Sequence, residues 1–309
     1  MDRVRTLAPD DLDGVIARVA QRLQHDASRN PFINPAFSTA QFEDSLRAAA
    51  ASTWVALDGG HLCGHLFGAV LKNEAYGHGV WTGPDGCSYD SPDTLADLYS
   101  HAGREWIDSG ALEHYVWVFD GLEDTAAWHE LGFARMHQRG VLSLSERRGH
   151  DLAKGYTLRR GSLDDLDVAI DLMKELDRLQ ESGPSFSINV AHTSMRDDLI
   201  ETLEDPEVRF YLVEAEGTAI AQCMTFPLPE QRGSFPETVH LSAVVVREAH
   251  RGRGVATALV DAALDEARAE GFEFAETNWR VTNRLAAGHW RRYGFRPTYV
   301  RLHRTIGAG

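Results

Sequence analysis

The sequence predicts an α/β (α+β) protein laid out twice along the chain, each copy on a mixed sheet. Two observations carry this. The chain resembles itself at an offset of about half its length, in three places and in the same order. In each copy, short apolar stretches bounded by turn residues alternate with longer helical patterns, the order strand, helices, strand meander, helix, strand, helix, strand.

The opening, Val4-Arg5-Thr6-Leu7-Ala8-Pro9-Asp10-Asp11-Leu12-Asp13, is matched by Leu158-Arg159-Arg160-Gly161-Ser162-Leu163-Asp164-Asp165-Leu166-Asp167. Each predicts a short strand, a turn, and a helix capped by its Asp pair. Trp54-Val55-Ala56-Leu57-Asp58-Gly59-Gly60 is matched by Tyr211-Leu212-Val213-Glu214-Ala215-Glu216-Gly217, a strand entering a hairpin turn in both cases. Trp128-His129-Glu130-Leu131-Gly132-Phe133 is matched by Trp290-Arg291-Arg292-Tyr293-Gly294-Phe295. Buried strands are expected at residues 114–119 and 272–275. The polar, glycine-bearing stretch 145–155 (SERRGHDLAKG) reads as a linker, which gives domains at 1–147 and 155–309.

A chain of 309 residues accommodates two such domains, and 43% hydrophobic with 25% charged residues is a globular composition. No apolar run reaches the length of a membrane span, and the start lacks a signal-peptide pattern. Three scattered cysteines, Cys63, Cys87 and Cys223, form neither a disulfide framework nor a metal pair, so a cytoplasmic location is expected. The net charge of −15 argues against nucleic acid as a partner and is compatible with a cationic substrate. The C-terminal end departs from this balance: from Arg247 to Arg304, eleven arginines stand against seven acids. His61 and His65 lack a third ligand nearby and read as surface histidines; no metal site is expected.

The most informative stretch is 241–257, LSAVVVREAHRGRGVAT. An apolar strand leads through a polar turn into Arg251-Gly252-Arg253-Gly254-Val255-Ala256-Thr257 and a helix. Such a junction aims several backbone N–H groups and the positive end of a helix dipole at one spot, which suits a diphosphate. Glycine keeps side chains out of the anion's way. A dinucleotide fingerprint is ruled out by the missing third glycine and the gap between Val246 and Gly252, and a phosphate-binding Walker loop by the absence of Gly-Lys-Ser/Thr. The first copy has no such segment. Residues 80–86 there read as a long turn, before a helix start capped by Ser91 with Pro92 at its first position.

The C-terminal half resembles the GNAT superfamily of N-acetyltransferases over most of residues 156–304. Arg251, Gly254 and Ala256 meet the pattern R/Q-x-x-G-x-G/A, and Asn283, Ala286, Trp290, Gly294 and Phe295 meet the later block. The N-terminal half resembles the same fold more faintly, as a degenerate copy with a structural or substrate-shaping role. The resemblance implies two tandem GNAT-like domains, each a mixed, mostly antiparallel twisted sheet flanked by helices. It also implies acetyl-CoA as acyl donor: Val244, Val245 and Val246 lie along the pantetheine arm, with Val244 and Val246 bonding it through their main chains. The amides of Arg251, Gly252, Arg253, Gly254, Val255, Ala256 and Thr257 hold the diphosphate, and Asn283 and Trp290 meet the cofactor from the following helix.

Acyl transfer to an amine needs a base, and His240, near the start of the strand before the glycine loop, is the expected one. Glu276 and Glu237 are reserves. The tyrosine that the family uses to protonate the departing thiolate is replaced by Trp290, which cannot act so; Tyr293 should face another side of the helix. The substrate loop is expected at residues 177–190, and at residues 28–37 in the first copy; Glu175, Asp177 and Glu181 either attract an ammonium group or form a solvent face. The expected activity is transfer of acetyl from acetyl-CoA to a primary amine of a small molecule, by direct attack in a ternary complex. No nucleic acid or membrane partner is expected, and the chain is expected to be a monomer or a homodimer. A non-catalytic acyl-CoA-binding sensor or scaffold is the alternative.

Overall fold

The computed structural model describes residues 3–73, 77–146, 149, 151–187 and 195–307. The expected linker and substrate loop thus lie partly outside the described residues, at 147, 148 and 150 and at 188–190 respectively. The chain forms two compact units, one of Met1–Gln138, Gln231–Ser234 and Pro297–Gly309, the other of Arg139–Glu230 and Phe235–Arg296.

The first unit begins with β1 (Val4–Thr6), α1 (Leu12–Arg29), α2 (Thr39–Ala48), β2 (Trp54–Asp58) and β3 (His61–Leu66). It continues with β4 (Ala69–Asn73), β5 (Gly77–Thr82), β6 (Cys87–Tyr89), α3 (Pro92–Asp108), β7 (Glu113–Phe119), α4 (Leu122–Glu130) and the first part of β8 (Ala134–Ser143). A small antiparallel sheet has the order β1-β2-β3-β6. Helix α1 lays Leu12, Val15, Val19 and Leu23 on it at helical spacing, beside Phe42 and Leu46 of α2. In a second set, β4 pairs antiparallel with β5, β5 parallel with β7, and β7 antiparallel with β14 (Arg296–Thr305), the last strand of the chain.

Two expectations are corrected here. Residues 80–86 are not one long turn: Val80–Thr82 end β5, and only the four residues after them turn before β6. His65 is not a surface histidine but fully buried. Its Nε2 lies 2.9 Å from the Asp85 carbonyl, which can only accept, so Nδ1 accepts from the Ser88 hydroxyl at 2.8 Å. Arg18 Nε donates to the same hydroxyl at 2.9 Å. Burial, opposed by the bond to the Asp85 carbonyl and aided by the Arg18 charge, pushes the imidazole down to about 4. The helix start after β6 is as expected: Ser91 Oγ accepts from Thr94 N–H at 3.2 Å, and Pro92 opens α3.

The second unit contains β9 (Tyr156–Arg160), α5 (Leu166–Glu181), α6 (Met195–Glu204), β10 (Arg209–Ala215) and β11 (Thr218–Pro227). After these come β12 (Thr238–Val246), α7 (Val255–Ala269), β13 (Phe274–Arg280) and α8 (Arg284–Tyr293). Strands β9 to β12 run antiparallel in sequence order, β13 lies parallel to β12, and the end of β8 follows β13. The sheet is open and mixed, with helices on both faces. Helix α7 buries Val255, Ala258, Leu259, Ala263, Leu264 and Ala267 against Val239, Leu241, Ala275 and Trp279. Helix α5 covers the other face, through Leu166, Ala169 and Leu172 on Met224 and Val245. Gly140 lets β8 close this core, since a Cβ there would lie 2.6 Å from the Trp279 ring. Leu142 and Leu144 then complete the apolar layer.

The internal repeat is visible in chemistry as well as in sequence. Arg5 grips Asp11 with two bonds of 2.6 and 2.9 Å, and Arg159 grips Asp165 with two of 2.9 and 2.7 Å. The same carboxylates accept the N–H of Ala8 and of Ser162, closing the turn before α1 and before α5. In the closing block, Trp128 meets Phe133 and Trp290 meets Phe295, each ring pair edge-on at 78°. Gly132 and Gly294, both at positive φ, end the two helices between those rings. Among the described residues, no helix is long and apolar enough to cross a membrane.

Candidate active site

The site begins where two strands part. The parallel ladder of β12 and β13 comprises Thr238↔Phe274, Val239↔Ala275 and His240↔Glu276. Beyond it β12 continues to Val246 and β13 to Arg280, with no further β12–β13 pair among the described residues. At the fork the Thr277 hydroxyl donates to the Leu241 carbonyl at 2.8 Å, a side chain standing in for the next ladder bond. On the other side β12 bulges against β11 between Ser242 and Val245, with Ala243 at φ 51°. Past the bulge, Arg247 N–H donates to Ile220 at 2.8 Å. In an antiparallel ladder the bonded residues alternate, so Val245 also bonds to β11, while the main-chain groups of Val244 and Val246 turn into the fork. Val245 is thereby committed to the sheet, its side chain buried under α5.

The loop after β12 ends this fork. Gly252 and Gly254 stand at φ 74° and 78°, and a Cβ on either would meet nothing within 4 Å. Left-handed backbone at both positions is what only glycine adopts freely. Gly254 caps α7 without any side chain, and Ala258 N–H, bonded to the Gly254 carbonyl at 3.0 Å, is the first helical amide with an intrahelical partner. The amides of Val255, Ala256 and Thr257 are left by helix geometry to face outward. Arg253 is exposed beside them. Arg251 turns back into the protein instead. Its Nε donates to the Val246 carbonyl at 2.9 Å and its Nη2 pairs with Glu175 at 2.9 Å. It clips the end of β12 to α5 and leaves Arg253 as the guanidinium open to an anion.

His240 and Glu276 are register partners and so share one sheet face, the α5 side. Glu276 stands in mid-strand rather than at the strand end, because β13 extends to Arg280 instead of stopping at 275. Its carboxylate is buried and forms an ion pair of 3.5 Å with Arg139 of β8, which is equally buried. The His240 ring lies against Phe226 at 5.0 Å, and among the described residues its buried Nδ1 has no hydrogen-bond partner. Burial pushes this imidazole below its ordinary value, Glu276 acts upward and Arg139 downward. His65, by contrast, has both ring nitrogens engaged. Glu237 is exposed at φ 48°, just outside β12.

Other expected residues stand apart from the fork's chemistry. Asn283 caps α8, its Oδ1 accepting from Ala286 N–H at 3.1 Å. Trp290 is buried in the core against Phe295, as Trp128 is in the first unit. Tyr293 donates to Asp261 of α7 at 2.5 Å and packs in the same core. Residues Glu175 and Asp177 do not form a solvent face: Glu175 pairs with Arg251 and Arg178, and Asp177 is buried. Two residues of the site escape a reading by motif. Thr277 carries only a generic strand signal. Arg139 lies in the first sequence half, and its neighbours His137 and Gln138 are polar as well, so nothing local singles it out.

The second unit is thus an open mixed sheet forked between parallel strands, with a bulge and a glycine loop at the mouth. The chain has the fold of GNAT-superfamily acetyltransferases in tandem arrangement. The profile of the acetyltransferase (GNAT) family matches residues 173–295. A GCN5-related N-acetyltransferase from Sphaerobacter thermophilus is similar in structure with a TM-score of 0.67 at 17% identity, over 100% of this chain and 98% of that one. A tandem GNAT protein from the clavulanic acid biosynthesis pathway is similar with a TM-score of 0.54 at 18% identity, over 99% of each chain. No curated protein sequence matches the chain.

Proposed function

We propose that the chain is an N-acetyltransferase whose second unit binds acetyl-CoA and transfers acetyl to a primary amine of a small molecule in a ternary complex. One observation carries the reading: the β12–β13 fork, with Val244 and Val246 turned into it, opens toward the bare loop of Gly252 and Gly254 and the free amides of α7. An extended amide-bearing chain fits the strand edge, and a diphosphate fits the helix start. Acetyl-CoA seated there supplies the thioester and a thiolate leaving group.

The residues of the chain divide the remaining work. The α7 amides and Arg253 hold the diphosphate. His240, kept neutral by burial, takes the proton from the attacking amine. Neither Trp290 nor Tyr293 of α8 supplies an acid, since Trp290 is in the core and the Tyr293 hydroxyl is bonded to Asp261. These two side chains therefore give no proton to a departing thiolate. The same fact favours the second reading, an acyl-CoA-binding sensor without turnover. Calorimetric titration with acetyl-CoA, followed by thiol release across a panel of primary amines, separates the two. Binding with release for at least one amine supports the enzyme, binding with no release supports the sensor, and no binding overturns both.

A further inference from the structure

We infer that Arg139, on the strand that closes the first sequence half, is a positioning residue of the His240 site: by ion-pairing Glu276 it leaves His240 uncharged and able to accept a proton. This rests on the proposal that His240 is the base.

The geometry supports a three-strand constellation. Arg139 on β8, Glu276 on β13 and His240 on β12 stand on neighbouring strands. The ion pair measures 3.5 Å with both side chains almost fully shielded. A buried ion pair contributes little to stability compared with apolar residues of the same volume, because both charges must be desolvated. Its position beside a buried imidazole with an uncommitted Nδ1 gives it a second use. A bare carboxylate across the ladder would favour imidazolium and block the base. A carboxylate cancelled by Arg139 leaves burial to decide, and burial favours the neutral ring.

The groups around His240 agree with this. From β13 comes Glu276, from β8 Arg139, and from β11 the uncharged Phe226. Asp177 is the buried acid of α5, the helix packed on this face, and among the described residues the charges that act on His240 are those of Glu276 and Arg139. Gly140, next to Arg139, allows the close approach of β8 to Trp279 that brings the guanidinium to this depth.

The test uses substitutions of opposite sign in the full chain. His240 is titrated by NMR without cofactor, and the acid limb of kcat/KM is measured with acetyl-CoA and an accepted amine. Arg139→Met should raise the His240 midpoint and move the acid limb up by about one pH unit or more, roughly a tenfold loss below the limb. Glu276→Gln should move both down. The double variant Arg139→Met/Glu276→Gln should return both to near the wild-type position and recover stability lost in the single Arg139 variant. A purely structural pair would lower stability in each single variant and leave the His240 midpoint in place, and that result overturns the inference. If Arg139→Met fails to fold, the Glu276→Gln and double variants still decide the sign. Because the NMR titration needs no turnover, expected midpoints in a protein that releases no thiol would uphold the electrostatic trio and refute the enzyme reading instead.

Discussion

Gly254→Val tests the diphosphate cradle most directly, because its effects on stability and on affinity separate. Gly254 stands at φ 78°, and a Cβ there meets nothing within 4 Å. The folded protein therefore suffers no clash, only the cost of a left-handed backbone, about 1–2 kcal/mol for an L-residue and toward the upper end for a β-branched one. Affinity suffers differently. The new methyl groups occupy the open space before the amides of Val255 and Ala256. Losing two hydrogen bonds to a charged group, at about 1.5–3 kcal/mol each, weakens binding by about 3–6 kcal/mol, on the order of 10² to 10⁴ in Kd. Gly217 supplies the control. It sits in the β10–β11 turn at φ 75°, also with nothing within 4 Å of a Cβ, so Gly217→Val carries the same strain away from the loop. Thermal unfolding and calorimetric titration with CoA are run on both. Similar losses in Tm with a collapse of affinity in Gly254→Val alone is the expected result. A Gly254→Val protein that binds CoA within about threefold of wild type refutes the cradle.

Three further outcomes are expected. His240→Ala should lower turnover by about 10² to 10⁴ with CoA affinity retained, as loss of a general base does; a parallel fall in affinity would assign His240 to the scaffold. Thr277→Val strands the buried Leu241 carbonyl at the fork and should cost about 1–3 kcal/mol in urea unfolding, with Thr277→Ser recovering most of it; a valine variant as stable as wild type would show that the hydroxyl does not hold the fork. His65 titrates near 4 when folded and near 6.5 when unfolded, so between those values the unfolded chain binds the extra proton. Stability should be complete above about pH 6.5 and decline as pH falls toward 4, by up to about 3 kcal/mol from this group. Urea midpoints across that range should flatten in His65→Gln, and an unchanged slope would remove His65 as the source.

How much of this was legible in the sequence follows from the range of the interactions involved. Local features were readable. The turns before α1 and α5, the Ser91 cap with Pro92, and the glycines ending α4 and α8 depend on neighbours a few residues away, and the residue types alone imply them, although Asp11 and Asp165 accept from Ala8 and Ser162 behind them instead of capping α1 and α5 with their side chains. The glycine loop is legible for the same reason, since φ values of 74° and 78° are a property of its own backbone. What failed to read were properties set by distant strands. A His in an HxxxH pair looks like surface until the Asp85 carbonyl and Ser88 arrive on both sides of its ring. Arg251 matches an anion-loop pattern, yet its guanidinium turns back to Val246 and Glu175, a partner on α5.

Arg139 shows the limit most sharply. A division of the chain into halves makes the second copy self-sufficient, because repeats are found by aligning segments along the sequence. Sheets are assembled by strand edges instead, and the end of β8 is next to β13 while the chain's own last strand pairs with β7. A buried arginine in mid-strand has no local reason to exist; its carboxylate partner lies more than a hundred residues onward, at Glu276. Such a residue is visible to sequence reasoning only as an anomaly, a charge in a segment that folds as a buried strand. Desolvation makes that anomaly informative: an unmatched buried charge would cost several kcal/mol. Its presence alone predicts an opposite charge across a strand boundary, and in this fold that boundary borders the imidazole proposed to do the chemistry.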